Sequence, residues 1–345
     1  MRSAAKVIAL AWIVAAIAGS CSKTHTNTLG PPVKIGLVYD VGGVGDKAFN
    51  DAASEGLARA EKEFNISVKA FEPGAAGVDD APLQVLSTQG YTLNVAIGGS
   101  SASAVASTAL QFPSVKFVSV DGFIDHTTCE GCVDLTAGSN AASVSFADEQ
   151  GAYLIGAAAA LKSKAAHIGF MGTAAGPIMD RLLAGYEAGA AKMTPSIKID
   201  VRYSEDPAKV KDVVLAMYGA GADVVFDAGD FRDTVFDAAL EFSTSSDTHV
   251  WAIGFGSDRY LSAAPNLQPY ILTSLVKRVD EAVYDAIKDF VAGQFQGGYL
   301  TLGMAEDGLG YATSGDFLGD IQGKLDGLKQ DIIAGKLVVP TALPS

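Results

Sequence analysis

A glycine-rich turn near the start of the chain carries side chains that could bind a small molecule. The segment KIGLVYDVGGVGDKAFN, residues 34–50, begins as a short apolar run and then presents Asp40, Asp46, Phe49 and Asn50. Carboxylates accept hydrogen bonds from hydroxyl and N–H groups, asparagine both donates and accepts, and a phenylalanine ring offers a flat face for stacking. These residue types predict a site for a flat, neutral, polar ligand. The alternative is structural, with Asp46 capping a helix and Phe49 packed into the core.

The glycines between these residues do not form a phosphate-binding loop. The run GGVG lacks the spacing of GxGxxG, and the pattern GxxxxGK[ST] does not occur in the chain. Asp40 and Asp46 flank the turn, and their negative charges repel a phosphate group. The turn therefore does not predict a nucleotide phosphate cradle.

Short β-branched runs alternate with alanine-rich stretches of helical periodicity along the chain. The first series predicts strands at 34–40, 68–73, 93–99 and 115–122 and helices at 49–64, 81–89 and 103–110. The second series predicts helices at 148–161, 178–192, 207–219, 234–241 and 280–291 and strands at 167–172, 198–204, 222–229, 250–258 and 271–278. This repetition predicts an α/β fold of two Rossmann-like lobes with parallel sheets, helices on both faces and a ligand cleft between the lobes.

Length and composition agree with two lobes. The 345 residues exceed what one hydrophobic core usually organises, and 49% of them are apolar. We expect a first lobe of residues 33–147 plus about 276–299, and a second lobe of residues 148–275 plus about 300–345. The formal net charge of −14 argues against a nucleic-acid partner, because phosphate binding needs clustered Lys and Arg.

The N-terminal segment has the pattern of a signal peptide. Residues 1–20 contain Arg2 and Lys6, then an uncharged apolar run, then small residues before Cys21. The sequence AGSC resembles a bacterial lipobox, which makes Cys21 the predicted lipidation site and residues 21–32 a lipidated tether. An ordinary secretion signal is the alternative. The expected location is outside the cytoplasm, in the periplasm or on the outer face of the cytoplasmic membrane, with the lipid as membrane anchor.

The two remaining cysteines, Cys129 and Cys132, lie in HTTCEGCVD. In an exported protein this pair is a candidate disulfide, with free thiols as an alternative. A metal site with His126 is a third possibility, but structural zinc sites usually contain two such pairs. We predict neither a metal nor a cofactor.

The sequence DVGGVGDKAFNDAASEGL resembles the signature of the basic membrane protein (PnrA-like) family, the nucleoside-binding lipoproteins of ABC importers. FVSVDG, EQGAYLIGAAAALKSKAAHIGFMG, DPAK, GADVVFDAG, TSLVKRVDEAVYDAI and GLGYA are similar to family segments in the same order, from about residue 33 to about residue 313. The resemblance implies a periplasmic-binding-protein-like fold of type I. It also implies a binding protein, not an enzyme, that captures a purine nucleoside and delivers it to ABC permease and ATPase subunits.

The resemblance also implies roles for particular residues. Asp40 and Asn50 would contact the base, and Phe49 would stack on it. Asp121 would face the cleft from the same lobe, and Lys277 would reach the ribose. The alternative for Lys277 is a solvated lysine at the start of a helix.

Two segments of the second lobe depart from the family pattern. Residues 227–235 read DAGDFRDTV where the family reads AAGGTGNGV, so bulky and charged side chains replace flexible glycines. Residues 253–259 read IGFGSDR where the family reads IGVDSDQ, which places Gly256 where a ribose-contacting carboxylate is implied. The second stacking aromatic has no clear counterpart, and Tyr203 is the nearest candidate. We therefore predict a ligand that is altered on its ribose side or is not a nucleoside.

Several residues in these segments are candidates for contacts to the ligand. Asp230 or Asp258 could replace the missing carboxylate, and Gly229 is retained beside Asp230. Arg232 is expected either to pair with a carboxylate or phosphate of the ligand or to pair with a neighbouring aspartate, Asp230 or Asp233, on the surface.

Two other functions stay open at this point. A sensor lipoprotein of the same build would present its ligand to a signalling partner instead of a permease. A nucleoside or glycoside hydrolase would use two of Asp40, Asp46 and Asp121 as acid and base. The chain has no GxSxG motif and contains four histidines, which gives little support to catalysis.

Overall fold

A computed structural model describes residues 31–72, 79–124, 133 and 135–343. The predicted signal peptide, the lipidation site Cys21 and the pair Cys129 and Cys132 lie outside the described residues. Within the described part of the chain, no helix combines the length and apolar character needed to cross a bilayer.

The first sheet has six parallel strands in the order β11-β5-β4-β3-β1-β2. Its four inner strands are buried on both faces, as expected for a parallel sheet covered by helices, whereas its two edge strands are partly exposed. The strands are β1 (Val33–Val38), β2 (Ile66–Phe71), β3 (Leu93–Ile97), β4 (Lys116–Val120), β5 (Ala141–Phe146) and β11 (Gly298–Leu302). Four helices accompany them: α1 (Phe49–Glu63), α2 (Asp80–Thr88), α3 (Ser101–Gln111) and α9 (Val279–Val291).

The two faces of this sheet bury different side chains. Leu37 and Val95 belong to the core cluster that includes α1 and α9, whereas Val38 and Ala96 belong to the cluster that includes α2 and α3. Because successive residues of a strand point to opposite faces, this division places helices on both sides of the sheet.

The second sheet repeats this arrangement in the order β12-β10-β9-β8-β6-β7, with only the short edge strand β12 antiparallel. Its strands are β6 (His167–Gly172), β7 (Lys198–Tyr203), β8 (Val224–Asp227), β9 (Trp251–Gly254), β10 (Ile271–Lys277) and β12 (Leu309–Tyr311). Its helices are α4 (Asp148–Lys162), α5 (Pro177–Met193), α6 (Pro207–Gly219), α7 (Asp233–Ser246), α8 (Arg259–Ser262) and α10 (Gln322–Ile333).

Helices α4 and α5 approach each other closely because small residues line their contact. A Cβ atom at Gly156 would lie 2.0 Å from the carbonyl oxygen of Tyr186, and one at Gly189 would lie 1.9 Å from that of Tyr153. Such contacts leave no room for a larger side chain. The glycines and alanines of α4 therefore serve packing of the second lobe.

The chain passes between the two sheets three times, after β5, after β10 and after β11. The predicted architecture of two α/β lobes, each with a mostly parallel sheet, is confirmed. The carboxyl ends of the parallel strands carry the loops from which a binding site of this fold is built.

Candidate functional site

A cleft is lined by loops at the carboxyl ends of strands from both sheets. From the first sheet come Asp40, Val41, Asp46, Ala48, Phe49, Asn50, Gly98, Gly99 and Asp121. From the second sheet come Asp230, Arg232, Phe255, Gly256, Ser257, Arg259 and Lys277.

Asp46 fastens the start of α1 to the glycine-rich turn. Its Oδ1 atom accepts hydrogen bonds from the backbone N–H groups of Ala48 at 2.8 Å and Asp51 at 3.2 Å. Its Oδ2 atom accepts from the backbone N and the side-chain Nδ2 of Asn50, both at 3.0 Å. These bonds satisfy donors that a helix start leaves free, so the geometry gives Asp46 the capping role.

Asn50 connects this helix start to Asp40. The Asn50 side chain is 1% exposed, and its Oδ1 atom accepts a hydrogen bond from the backbone N–H of Asp40 at 2.9 Å. The Asp40 carboxylate accepts a hydrogen bond from Ser100 Oγ at 3.2 Å. A Cβ atom at Gly98, where φ is +91°, would lie 2.1 Å from Asp40 Oδ2. A glycine is therefore needed at residue 98 for the carboxylate to keep its place.

Phe49 is the first residue of α1 and is half-buried. It packs against the core cluster of the first lobe, and it also lines the cleft. One part of the Phe49 side chain therefore packs in the core, and another part faces the cleft.

Lys277 links the two sheets through an ion cluster. Its Nζ atom lies 3.0 Å from both carboxylate oxygens of Asp121 and 3.1 Å from Oδ2 of Asp148. Asp121 follows β4 of the first sheet, whereas Lys277 ends β10 of the second. Only 6% of the Lys277 side chain is exposed, so it is not a solvated surface lysine.

The cluster perturbs the pKa values of its members. Burial alone would lower the pKa of Lys277, but Asp121 and Asp148 together raise it above its ordinary value. Burial raises the pKa of Asp148 to about 6, because desolvation outweighs the attraction of Lys277. The cluster therefore holds a firmly protonated lysine beside a carboxyl group that titrates near neutral pH.

The second-lobe wall contains an ion pair between Asp230 and Arg259. The Arg259 Nη2 atom donates to Asp230 Oδ1, and its Nε atom donates to the carbonyl oxygen of Phe255 at 3.0 Å. Burial raises the pKa of Asp230, while the charge of Arg259 opposes that change. Arg232, the other arginine of this segment, lines the cleft and is exposed.

A buried carboxyl group shapes the turn before α7. Asp227, the last residue of β8, is 1% exposed and accepts a hydrogen bond from the backbone N–H of Phe231 at 3.1 Å. Burial raises its pKa to about 8. Asp230 and Arg232 have positive φ angles of +54° and +58°. The turn therefore holds two non-glycine residues in a region of backbone space that favours glycine.

Three candidates lie outside the residues that line the cleft. Asp258 caps α8, since its Oδ1 accepts from Tyr260 N at 3.2 Å and its Oδ2 accepts from Ser314 Oγ at 2.6 Å. Gly229 packs against the Phe231 ring, which would lie 2.2 Å from a Cβ atom there. Tyr203 packs edge-on against Phe170, with ring centroids 6.5 Å apart. The contacts of these three residues are with the protein itself, in a helix cap and in packing.

The sequence-based prediction missed several residues of the site, among them Asp148, Phe255, Ser257 and Arg259. Phe255 supplies an aromatic ring to the second wall, and Lys277 Nζ lies 5.0 Å from its centroid. Phe255 and Ser257 come directly after β9, so their place at the carboxyl end of a strand was a usable signal. Across the described ranges, no group of three or more His, Cys, Asp or Glu side chains is arranged to hold a metal ion.

Comparison with known proteins places the chain in one family over nearly its whole length. The model of the family described as "ABC transporter substrate-binding protein PnrA-like" matches residues 33–342. The ABC transporter nucleoside-binding protein BmpA of Lactococcus lactis subsp. cremoris is 34% identical to this chain, and the match covers 98% of each protein. Basic membrane protein B of Borreliella afzelii is 30% identical over 93% of this chain and 92% of that protein.

Solved structures agree with this placement. An ABC transporter solute-binding protein from Aeropyrum pernix K1 is 25% identical, with a TM-score of 0.68 over 90% of this chain and 94% of that chain. One from Conexibacter woesei has a TM-score of 0.70 at 20% identity, over 90% of this chain and 99% of that chain, and shows the shared fold. The resemblance inferred from the sequence motifs is confirmed. The chain belongs to the PnrA-like family of ABC transporter substrate-binding proteins.

Proposed function

We propose that this protein is an extracytoplasmic lipoprotein that binds a purine nucleoside, or a closely related polar ligand, in the cleft between its lobes and delivers it to an ABC permease. The observation that carries the proposal is the composition of the cleft walls. The wall formed by the first lobe, here called the first wall, presents Asp40 and Phe49, and the wall formed by the second lobe presents Phe255 and Arg232. The name of the Lactococcus relative, a nucleoside-binding protein, supports the ligand class.

The chemistry of the first wall suits a purine base. Phe49 supplies a ring face for stacking, and the Asp40 carboxylate accepts hydrogen bonds from base N–H groups. Phe255 stands on the opposite lobe. A ligand that contacts both walls stabilises the arrangement in which the lobes enclose it, which is how binding would be signalled to a permease.

The anchor and the partners belong to the same proposal. Three relatives from Pyrococcus species carry the name lipoprotein, which supports lipidation at Cys21. The lipid would hold the protein at the membrane beside permease and ATPase subunits. The binding function needs no cofactor.

The proposal is tested by isothermal titration calorimetry of the purified protein with inosine, guanosine and adenosine. We expect saturable heat from at least one of the three, and no saturable heat from ribose alone. Absence of heat with all three contradicts the nucleoside assignment. Chromatography of the incubated samples checks the hydrolase alternative, which requires free base to accumulate.

Replacing Phe49 with Ala is expected to weaken nucleoside binding by about 1 to 3 kcal/mol, the usual contribution of an aromatic side chain that stacks on a base. The matched control is Phe123→Ala, because Phe123 lies in the same lobe, is 63% exposed and does not line the cleft. Calorimetry of both variants gives the comparison. An unchanged affinity in Phe49→Ala would assign this side chain to core packing alone.

A further inference from the structure

Three cationic side chains line the cleft in the described part of the chain, of which two are paired with carboxylates and one is not. Lys277 is bonded to Asp121, and Asp230 is bonded to Arg259. Arg232 also lines the cleft, but its guanidinium forms no ion pair with any carboxylate of residues 31–72, 79–124 or 135–343. Arg232 is therefore a cation available to a bound ligand.

The second-lobe wall around Arg232 offers hydrogen-bond donors: two guanidinium groups, and a serine hydroxyl that can both donate and accept. Its two guanidinium groups, on Arg232 and Arg259, stand near one carboxylate, Asp230, whose charge Arg259 already balances. The Ser257 hydroxyl is buried at this wall and has no hydrogen-bond partner in the described structure. A Cβ atom at Gly256 would meet nothing within 4 Å, so there is space in front of these donors.

The backbone holds Arg232 in place. The buried Asp227 carboxyl group bonds to the backbone N–H of Phe231, one residue before Arg232. Arg232 itself immediately precedes α7 and has a φ angle of +58°. A side chain on a fixed turn loses less freedom when it binds a ligand than one on a loose loop.

We propose that the ligand carries an anionic group on its sugar, a phosphate or a carboxylate, and that Arg232 binds this group. The inference rests on the proposed function, because it takes the first wall to hold the base. A guanidinium pairs with carboxylate or phosphate through two parallel hydrogen bonds. Asp40 repels an anion from the opposite wall, so the two charges together fix the orientation of the ligand.

The test compares three compounds on the same purified protein: inosine, inosine 5′-monophosphate and inosine 5′-carboxylate. We expect one of the two anionic compounds to bind on the order of tenfold to a hundredfold more tightly than inosine. The affinity ratio, which is the affinity for the tighter anionic compound divided by the affinity for inosine, should fall as the salt concentration rises. A preference for the monophosphate identifies phosphate as the group, and a preference for the carboxylate identifies the carboxylate.

Variants assign the preference to Arg232. In Arg232→Gln the affinity ratio is expected to fall to near one, and Arg232→Lys should keep part of it through its charge. The matched control is Arg202→Gln, since Arg202 is paired with Asp200 on the same lobe and lies outside the cleft lining. Circular dichroism confirms that each variant is folded.

The outcomes separate this inference from the proposed function. If inosine binds as tightly as both anionic compounds, or if Arg232→Gln keeps the wild-type ratio, the inference is wrong and nucleoside binding stands. If none of the three compounds binds, the inference is wrong, and the proposed function is wrong as well only if guanosine and adenosine also give no heat.

Discussion

Replacing Lys277 with Met is expected to lower the free energy of unfolding by about 3 to 5 kcal/mol, the usual cost of removing one partner from a buried ion pair. The loss is large because Lys277 serves two carboxylates, Asp121 and Asp148, and is 6% exposed itself. Without the ammonium group the two carboxylates, of which 25% (Asp121) and 16% (Asp148) are exposed, face each other with no cation between them. Urea denaturation at pH 7 measures the difference.

The matched control is Lys288→Met. Lys288 pairs with Asp285 within α9, and 52% of its side chain is exposed. Exposed pairs contribute about 0 to 1 kcal/mol, so the control variant should be nearly as stable as the wild type. Equal losses in the two variants would contradict a special role for the Lys277 cluster.

The Lys277 variant also has an expected pH signature. Two carboxylates without a cation between them favour protonation, which removes their repulsion. The destabilisation is therefore expected to be smaller at pH 5 than at pH 8. A loss that is the same at both pH values would mean that missing packing, and not missing charge, causes it.

The lobes could be predicted from sequence because their strands are buried on both faces. HIGFMG and LNVAI are mainly apolar runs between helical segments, and both form fully buried strands. Strands β5 and β11 gave no such signal. AASVSF consists mainly of small residues, and GYLTL is an edge strand whose middle residues are exposed. Pairing with neighbouring strands, and not local composition, makes these two segments strands.

The site could be predicted in part, and for a related reason. Asp40 and Asp121 lie within two residues of the end of a strand, so their residue type and their place beside the strand end can be read from the sequence. The pairs that decide their charge state are not local: Lys277 is 156 residues from Asp121, and Arg259 is 29 residues from Asp230. Sequence reasoning offered Asp230 or Asp233 as a surface partner for Arg232, whereas the fold brings Arg259 to Asp230 and leaves Arg232 in the cleft.

Stability of the wild-type protein is expected to fall as the pH rises towards 8, and Asp227→Asn should remove most of this loss. Burial raises the pKa of Asp227 to about 8 in the folded state, whereas an unfolded aspartate has a pKa of about 3.9. Between these values the folded protein binds more protons than the unfolded chain, so each increase in pH favours unfolding. One pKa unit corresponds to about 1.4 kcal/mol, so a difference of about four units between the two pKa values gives an expected total loss of about 5 to 6 kcal/mol between pH 4 and pH 8.

Asn is the suitable replacement because it has the size of Asp and keeps an oxygen that can accept the Phe231 N–H. It removes only the charge that burial disfavours. Urea denaturation from pH 5 to pH 9 compares the wild type with Asp227→Asn and with Asp212→Asn, an exposed position on α6 of the same lobe. The control variant should keep the wild-type slope above pH 6.

A second buried carboxyl group, that of Asp148, gives a pH dependence that can be told apart from that of Asp227. Asp148 has a pKa raised to about 6 by burial, so a loss of stability between about pH 4 and pH 6 should persist in Asp227→Asn. Below about pH 6 the slope of the variant should therefore be about half of the wild-type slope, and between pH 6 and pH 8 the curve of the variant should be nearly flat while the wild-type curve falls. If the stability of the wild type does not change with pH in that window, Asp227 is already ionised in the folded protein. Its pKa is then not raised by burial, which means that water reaches the carboxylate. If the slope persists in the variant, another group carries the titration, and the turn that holds Arg232 does not depend on a neutral Asp227.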